Sequence, residues 1–185
     1  GKTDRVAYSD LLVLDVDGLK LPGWDKPLNK LTSTDVKLLA KLVMRELPLA
    51  FQNVSYIAQA SASLGLKGDK ASLHIFIFLT YAMPAKAIKL WLQHANFESE
   101  LFASQLDLSS NGHSLKYPLD VSVADNSKLI FCAPPTFEDG THDPFSSSAE
   151  RIVRVSNDEE TLDLAKLLNE VSPELVHQKN NEHKN

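Results

Sequence analysis

The sequence predicts an α+β fold, a mixed sheet with helices packed on its covered face. Three observations lead there. Apolar runs of strand length, residues 11–14 and 73–79 above all, are short and bounded by polar or turn residues. Residues 33–47 and 85–95 instead carry apolar side chains at helical spacing. Strands and helices then alternate without the regular βαβ period of a doubly wound sheet.

The elements follow in order. The first strand ends in Asp15-Val16-Asp17 and meets Gly18. Residues 19–30 form a loop punctuated by Pro and Gly that carries Trp24 and Pro27. Ser33 or Thr34 can cap a helix whose Val36, Leu39, Ala40, Val43 and Leu47 share one face, and Pro48 ends it. Residues 54–61 read as a strand and 62–70 as a small, polar turn. Residues 73–79 are apolar on both faces apart from Ser72 and His74, which predicts a strand in the middle of a covered sheet. Pro84 introduces the helix at 85–95, and a second helical piece covers 98–105. Residues 108–115 form a turn region. Two short strands at 120–123 and 128–132 flank the turn Asp125-Asn126-Ser127. Residues 134–148 read as a polar loop, 151–155 as an edge strand, and 158–171 as a capped amphipathic helix. The expected organisation is a catalytic core over 1–143, a C-terminal strand and helix over 144–177 packed on or leading from it, and a disordered tail over 178–185.

Composition bounds the function. The 185 residues suit one domain or one catalytic unit of a larger protein, and 43% hydrophobic residues support a sizeable core. A net charge of −5 argues against nonspecific coating of nucleic acid, yet leaves room for a local basic groove. The single cysteine, Cys132, excludes an internal disulfide and a multi-cysteine zinc site. It fits a reducing compartment, with Cys132 expected as a small buried residue. No apolar run is long enough for a transmembrane helix, and Asp15 interrupts the only N-terminal one, so neither an anchor nor a signal peptide is expected. A cytoplasmic location follows.

Three groups of residues could carry chemistry. Asp15 and Asp17, at i and i+2 of a strand, point to one side about 6–7 Å apart. Two such charges repel, and a bound cation relieves them; an acidic turn before Gly18 is the plainer alternative. Ser72 and His74 are again i and i+2. A histidine in a buried strand is commonly a hydrogen-bonded core residue, but beside carboxylates it is placed to bond a phosphate oxygen. Asp120, following Leu119, would be a third carboxylate, enough for two divalent ions about 3.5–4 Å apart.

The order Asp15-x-Asp17, Ser72-x-His74 and Leu119-Asp120 resembles the catalytic core of the archaeo-eukaryotic primase superfamily, which includes the primase-polymerases. Tyr56-Ile57-Ala58-Gln59-Ala60-Ser61-Ala62-Ser63 resembles the small-residue segment of phage and plasmid members. Leu119-Asp120-Val121-Ser122-Val123-Ala124-Asp125-Asn126-Ser127-Lys128-Leu129-Ile130 resembles their third motif. The likeness covers roughly residues 6–137. It implies a mixed, mostly antiparallel sheet with an RRM-like half, flanked by helices. It also implies that Asp15, Asp17 and Asp120 hold two Mg²⁺ or Mn²⁺ ions, without zinc. His74 would contact the phosphates of the incoming nucleotide with Ser72 supporting it, and Lys128 would face the nucleotide. Lys67 and Lys70 would be phosphate or template contacts, or solvated loop lysines. A further basic residue common after the turn is replaced here by Ile130, Phe131 and Cys132. The implied activity is template-dependent nucleotidyl transfer, as a DNA primase or polymerase of a phage, plasmid or other mobile element. The implied partners are single-stranded DNA, nucleoside triphosphates and a helicase outside this chain, with no membrane.

Two rivals remain. Leu12-Val13-Leu14-Asp15-Val16-Asp17-Gly18 is close to the first motif of haloacid-dehalogenase-like phosphatases, with Asp15 as nucleophile. Lys67-Gly68-Asp69 begins the lysine and acid pattern that would complete that site, but no second acid follows in Lys70-Ala71-Ser72-Leu73. The other rival is a primase-like DNA-binding module without catalysis. His113 and the His142-Asp143 pair read as exposed loop residues. Trp24 and Trp91 could stack bases or fill core, and Lys86 and Lys89 could line a template channel or form a solvated helix face.

Overall fold

β1 (Tyr8–Leu19) opens the chain in the computed structural model, which describes residues 7–184 apart from 25, 67, 111 and 126. The readings that rest on Lys67, Asn126 and the first six residues lie outside the described residues. Helices α1 (Ser33–Arg45) and α2 (Leu49–Asn53) follow, then β2 (Tyr56–Ala60), β3 (Ala71–Pro84), α3 (Ala85–Glu98) and α4 (Glu100–Ala103). A minimal hairpin, β4 (Asp107–Leu108) with β5 (Leu115–Lys116), precedes β6 (Ile152–Val155), α5 (Leu164–Leu168) and α6 (Pro173–Glu182).

The protein is α+β. Its four-stranded sheet has the order β1-β3-β2-β6, and every ladder in it is antiparallel. Among the described residues, parallel pairing is confined to isolated bridges such as Leu79 with Leu162. Strand alternation sorts the sheet into two faces. Leu12, Leu14, Val16, Ala58, Ala60, Leu73, Ile75 and Ile77 are buried on the helix-covered face. The opposite face carries Asp15, His74, Gln59, Phe76 and Phe78, and it stays open: Phe78 is 58% exposed. The expectation of a strand covered on both sides is thus corrected, because the helices pack on one face only. α1 is capped by Thr32, not by Ser33 or Thr34: the Asp35 carboxylate accepts the Thr32 N–H at 2.8 Å and pairs with Lys26. Trp91 stacks on Phe51 with centroids 4.8 Å apart and is core, while Trp24 is half-buried against it. Lys86 is exposed and Lys89 pairs with Asp125.

Five readings of the second half differ from what is observed. Residues 121–124 form a 3-10 helix, not a strand, because the Asp120 carboxylate captures the Ser122 N–H at 2.8 Å and turns the chain. Residues 128–132 are irregular; Leu129 and Phe131 are exposed, and so is Cys132, against the expectation of a buried thiol. Here the Gln59 amide donates to the Cys132 carbonyl at 2.8 Å. The helix expected over 158–171 shrinks to α5, since the backbones of Glu159 and Leu162 bond instead to Asn53, Ser55, Phe78 and Thr80. The tail expected to be disordered from 178 is helical to Glu182. Ser172 caps α6, Val176 is buried, and Lys179 pairs with Glu98 on α3 at 2.8 Å.

The C-terminal segment belongs to the same body. β6 pairs with β2, and one cluster of buried side chains extends from Leu12 to Val176. Arg151 is buried between the rings of Phe137 and Phe145, bonds Asp143 at 2.6 Å, and ties the 134–148 loop to the Ser61 carbonyl. His142 is exposed. No helix among the described residues is long and apolar enough to cross a membrane.

Candidate functional site

Asp15 and His74 stand directly opposite each other on β1 and β3, and Gln59 stands opposite His74 on β2. Antiparallel register alone therefore builds one polar row across the open face. The His74 Nε2 lies 3.4 Å from the Asp15 carboxylate, and its Nδ1 is buried without a hydrogen-bond partner. That ring is under-satisfied for a buried imidazole.

Asp120 reaches the row from outside the sheet. Leu119 bridges antiparallel to Val16, so the Asp120 N–H donates to the Asp15 carbonyl at 2.9 Å and the Asp17 N–H to the Pro118 carbonyl at 3.2 Å. The other side of Leu119 is held by Asn96, a fully buried residue of α3 whose amide bonds both its N–H (3.0 Å) and its carbonyl (2.9 Å). The Asp120 carboxylate accepts from the Ser122 N–H and hydroxyl, and from the Lys128 ammonium at 3.1 Å. Burial alone would raise its pKa; the bonds from Ser122 and Lys128 outweigh that and hold it below the ordinary carboxylate value. Asp15, Gln59, His74 and Lys128 line an open cleft of about 630 Å³, closed on one side by the apolar stretch Leu129–Pro135.

Asp17 lies elsewhere. The β1 register shifts between Val16 and Leu19, and Gly18 takes φ +71°, so the strand end is re-aimed. Asp17 and Lys70 line a second cleft of about 330 Å³ together with Lys20 and Lys116, and the Lys116 ammonium is 3.7 Å from the Asp17 carboxylate. Ser72 enters neither cleft: its hydroxyl accepts the Gly18 N–H at 3.1 Å and so links the acidic end of β1 to β3. Of the seven described site residues singled out by sequence, then, Asp15, His74 and Lys128 line one cleft, and Asp120 joins them through Lys128 and the Asp15 carbonyl. Asp17 and Lys70 share the adjoining cleft, and Ser72 stands between.

Sequence reasoning missed Asn96, Gln59, Lys116 and Lys20. Asn96 left a signal, a polar side chain one position after Ala95 and four after Leu92 on the apolar face of a helix. Lys116 left none, because only the β4–β5 hairpin brings it to Asp17. Among the described residues no three His, Cys, Asp or Glu side chains are grouped so as to hold a metal ion. Asp15 and Asp120, carboxylates on directly bonded backbone, offer the hard oxygen chemistry that Mg²⁺ and Mn²⁺ take, while Asp17 faces the adjoining cleft.

Comparison of the chain with protein-family models, curated proteins and solved structures returns no match.

Proposed function

We propose that this chain is a primase-polymerase-like nucleotidyltransferase, forming phosphodiester bonds from nucleoside triphosphates on a single-stranded DNA template in the replication of a mobile element. The observation that carries the reading is the meeting of Asp15, His74 and Lys128 from three distant segments in one cleft, with Asp120 tied to its rim by the Lys128 ammonium and the Asp15 carbonyl. Its volume lies in the range of about 300–1,000 Å³ usual for small-molecule sites. Lys128 supplies a cation for phosphate, His74 an under-satisfied ring, and residues 129–135 an apolar wall for a base. Asp15 and Asp120 would hold Mg²⁺ or Mn²⁺, with Asp17 facing the adjoining cleft; bound there, such ions would help activate an attacking hydroxyl and stabilise the pyrophosphate leaving group. The primase-polymerase core as the detailed fold, a helicase partner and a cytoplasmic setting belong to the same proposal. The antiparallel sheet weighs against the phosphatase reading, which calls for parallel βα alternation.

The test is incorporation of labelled nucleotides on a primed single-stranded template with Mg²⁺ or Mn²⁺. Asp15→Ala is expected to reduce the rate on the order of 100-fold or more. His74→Ala is expected to weaken triphosphate binding in a metal-free titration. Full activity in Asp15→Ala overturns the assignment, and so does phosphomonoester turnover without incorporation.

A further inference from the structure

We infer that the second cleft, beside Asp17, grips the phosphate backbone of a single-stranded nucleic acid. This rests on the proposed nucleotidyl-transfer reading and divides its site into a nucleotide cleft and a strand cleft.

Lys20 lies just beyond β1, Lys70 just before β3 and Lys116 in β5, so three segments bring three ammonium groups to one opening. The chain as a whole has 24 acids against 19 Lys and Arg, which makes the cluster a local exception. Among the described residues Lys20 and Lys70 have no carboxylate partner. The Lys116–Asp17 contact is 3.7 Å between side chains that are both more than half exposed, a pair of little worth. Two carboxylates line the same opening. One is Asp17; the other, Asp107, accepts the Leu108 N–H at 2.8 Å. One positive charge remains in excess.

The cleft is built and not merely lysine-rimmed. The Gln105 side chain accepts the Lys20 N–H at 2.8 Å and donates to the Lys20 carbonyl at 2.9 Å, fixing that backbone while leaving the ammonium free. The Lys70 stem lies over Gly18, where a Cβ would sit 3.7 Å from its Cδ. The apolar members Leu19, Tyr117 and Pro118 are buried beneath the rim. The cleft therefore presents charge but no platform like residues 129–135, and this selects a phosphodiester chain over a base. It adjoins the nucleotide cleft along the backbone, since Asp17 and Pro118 are bonded partners two residues from Asp15 and Asp120. A strand ending at Asp15 would run its preceding phosphates toward these lysines.

The experiment compares the wild-type chain with the triple variant Lys20→Gln, Lys70→Gln, Lys116→Gln. Fluorescence anisotropy follows a labelled single-stranded oligonucleotide of about 12 residues between about 50 and 200 mM salt. The variant is expected to bind at least about 10-fold more weakly at low salt. Its log–log salt slope should be flatter by about 2, since each phosphate that a lysine neutralises on a single strand adds about 0.7 to the slope. Triphosphate binding and Tm should be unchanged, and the corresponding Lys→Arg triple should behave as wild type. An unchanged slope, or no oligonucleotide binding by the wild type, overturns the strand cleft. A parallel loss of triphosphate binding also overturns it, making the lysines part of the nucleotide site. A flattened slope in a protein that never incorporates nucleotides supports the strand cleft and sinks the catalytic reading alone.

Discussion

Replacing Asn96 should unfasten the segment that carries Asp120. Asn96 is fully buried and makes three bonds: its amide donates to the carbonyls of Leu92 (2.8 Å) and Leu119 (2.9 Å) and accepts the Leu119 N–H (3.0 Å). Pro118 and Asp120 direct their own backbone groups to β1, so among the described residues Leu119, also fully buried, has only Asn96 on its other side. In Asn96→Ala two buried backbone groups lose their partners, at about 1–3 kcal/mol each, or about 2–6 kcal/mol in all. For a chain of this size each kcal/mol lowers Tm by about 2–4 °C, so a drop of at least about 4 °C is expected. Thermal and urea unfolding by circular dichroism measure it. Asn96→Leu separates causes, since it fills the space without restoring the bonds and should be almost as unstable. Amide exchange at Leu119 and Asp120 should accelerate in both variants. Wild-type stability in Asn96→Leu would refute the reasoning, because the loss in Asn96→Ala would then be a cavity effect.

Two further outcomes follow from buried charge. Arg151→Met leaves Asp143 without its cation and releases the 134–148 loop from Ser61; with Asp143 about one-third exposed, the expected cost in urea unfolding is about 2 kcal/mol or more, and a cost under about 0.5 kcal/mol would contradict it. Acid sensitivity has two origins. Asp35, Glu98 and Asp120 are held below their ordinary values: Lys26 and Thr32 outweigh burial for Asp35, Lys179 leads for Glu98, and Ser122 and Lys128 outweigh burial for Asp120. Their stabilisation is full above the unfolded carboxylate pKa of about 4 and is lost as pH falls through the folded values. His94 is held below its ordinary value by burial, so its contribution starts to decline already near pH 6.5. Stability measured from pH 7 to 3 should therefore fall in two stages, and His94→Asn should remove the first.

The elements that sequence reasoning locates are those whose signal is local. Apolar alternation marks β3, helical spacing marks α1 and α3, and the row Asp15–His74 follows once two such strands pair antiparallel. The misread elements are decided by tertiary contacts. Residues 158–162 have a helix-like pattern, but their backbone is taken by edges of the sheet region at Ser55 and Thr80. Residues 178–182 look solvated in composition and are ordered by single contacts to α3 and Tyr117. Asp120 is legible as an acid after an apolar residue, whereas its role as the cap of a 3-10 turn rests on the Ser122 backbone N–H, which no side chain in the sequence announces. The separation of Asp17 from Asp15 depends on the register shift at Gly18, which two-residue periodicity does not contain.

Position and charge are handled by different kinds of residue at this site. The backbones that carry the acids are fixed by buried or half-buried bonds: Asp120 N–H to Asp15, Asn96 to Leu119, and Gly18 N–H to Ser72. The cations facing those acids stand on the rim, with Lys128 and Lys116 side chains 37% and 60% exposed. Exposed pairs of this sort contribute about 0–1 kcal/mol each, so either lysine can leave its aspartate at small cost. Moving the aspartates themselves would break bonds in the interior, as the Asn96 bonds make plain. A site for a highly charged ligand needs that division, with anchors that do not yield and counter-charges that can be exchanged for the ligand's own.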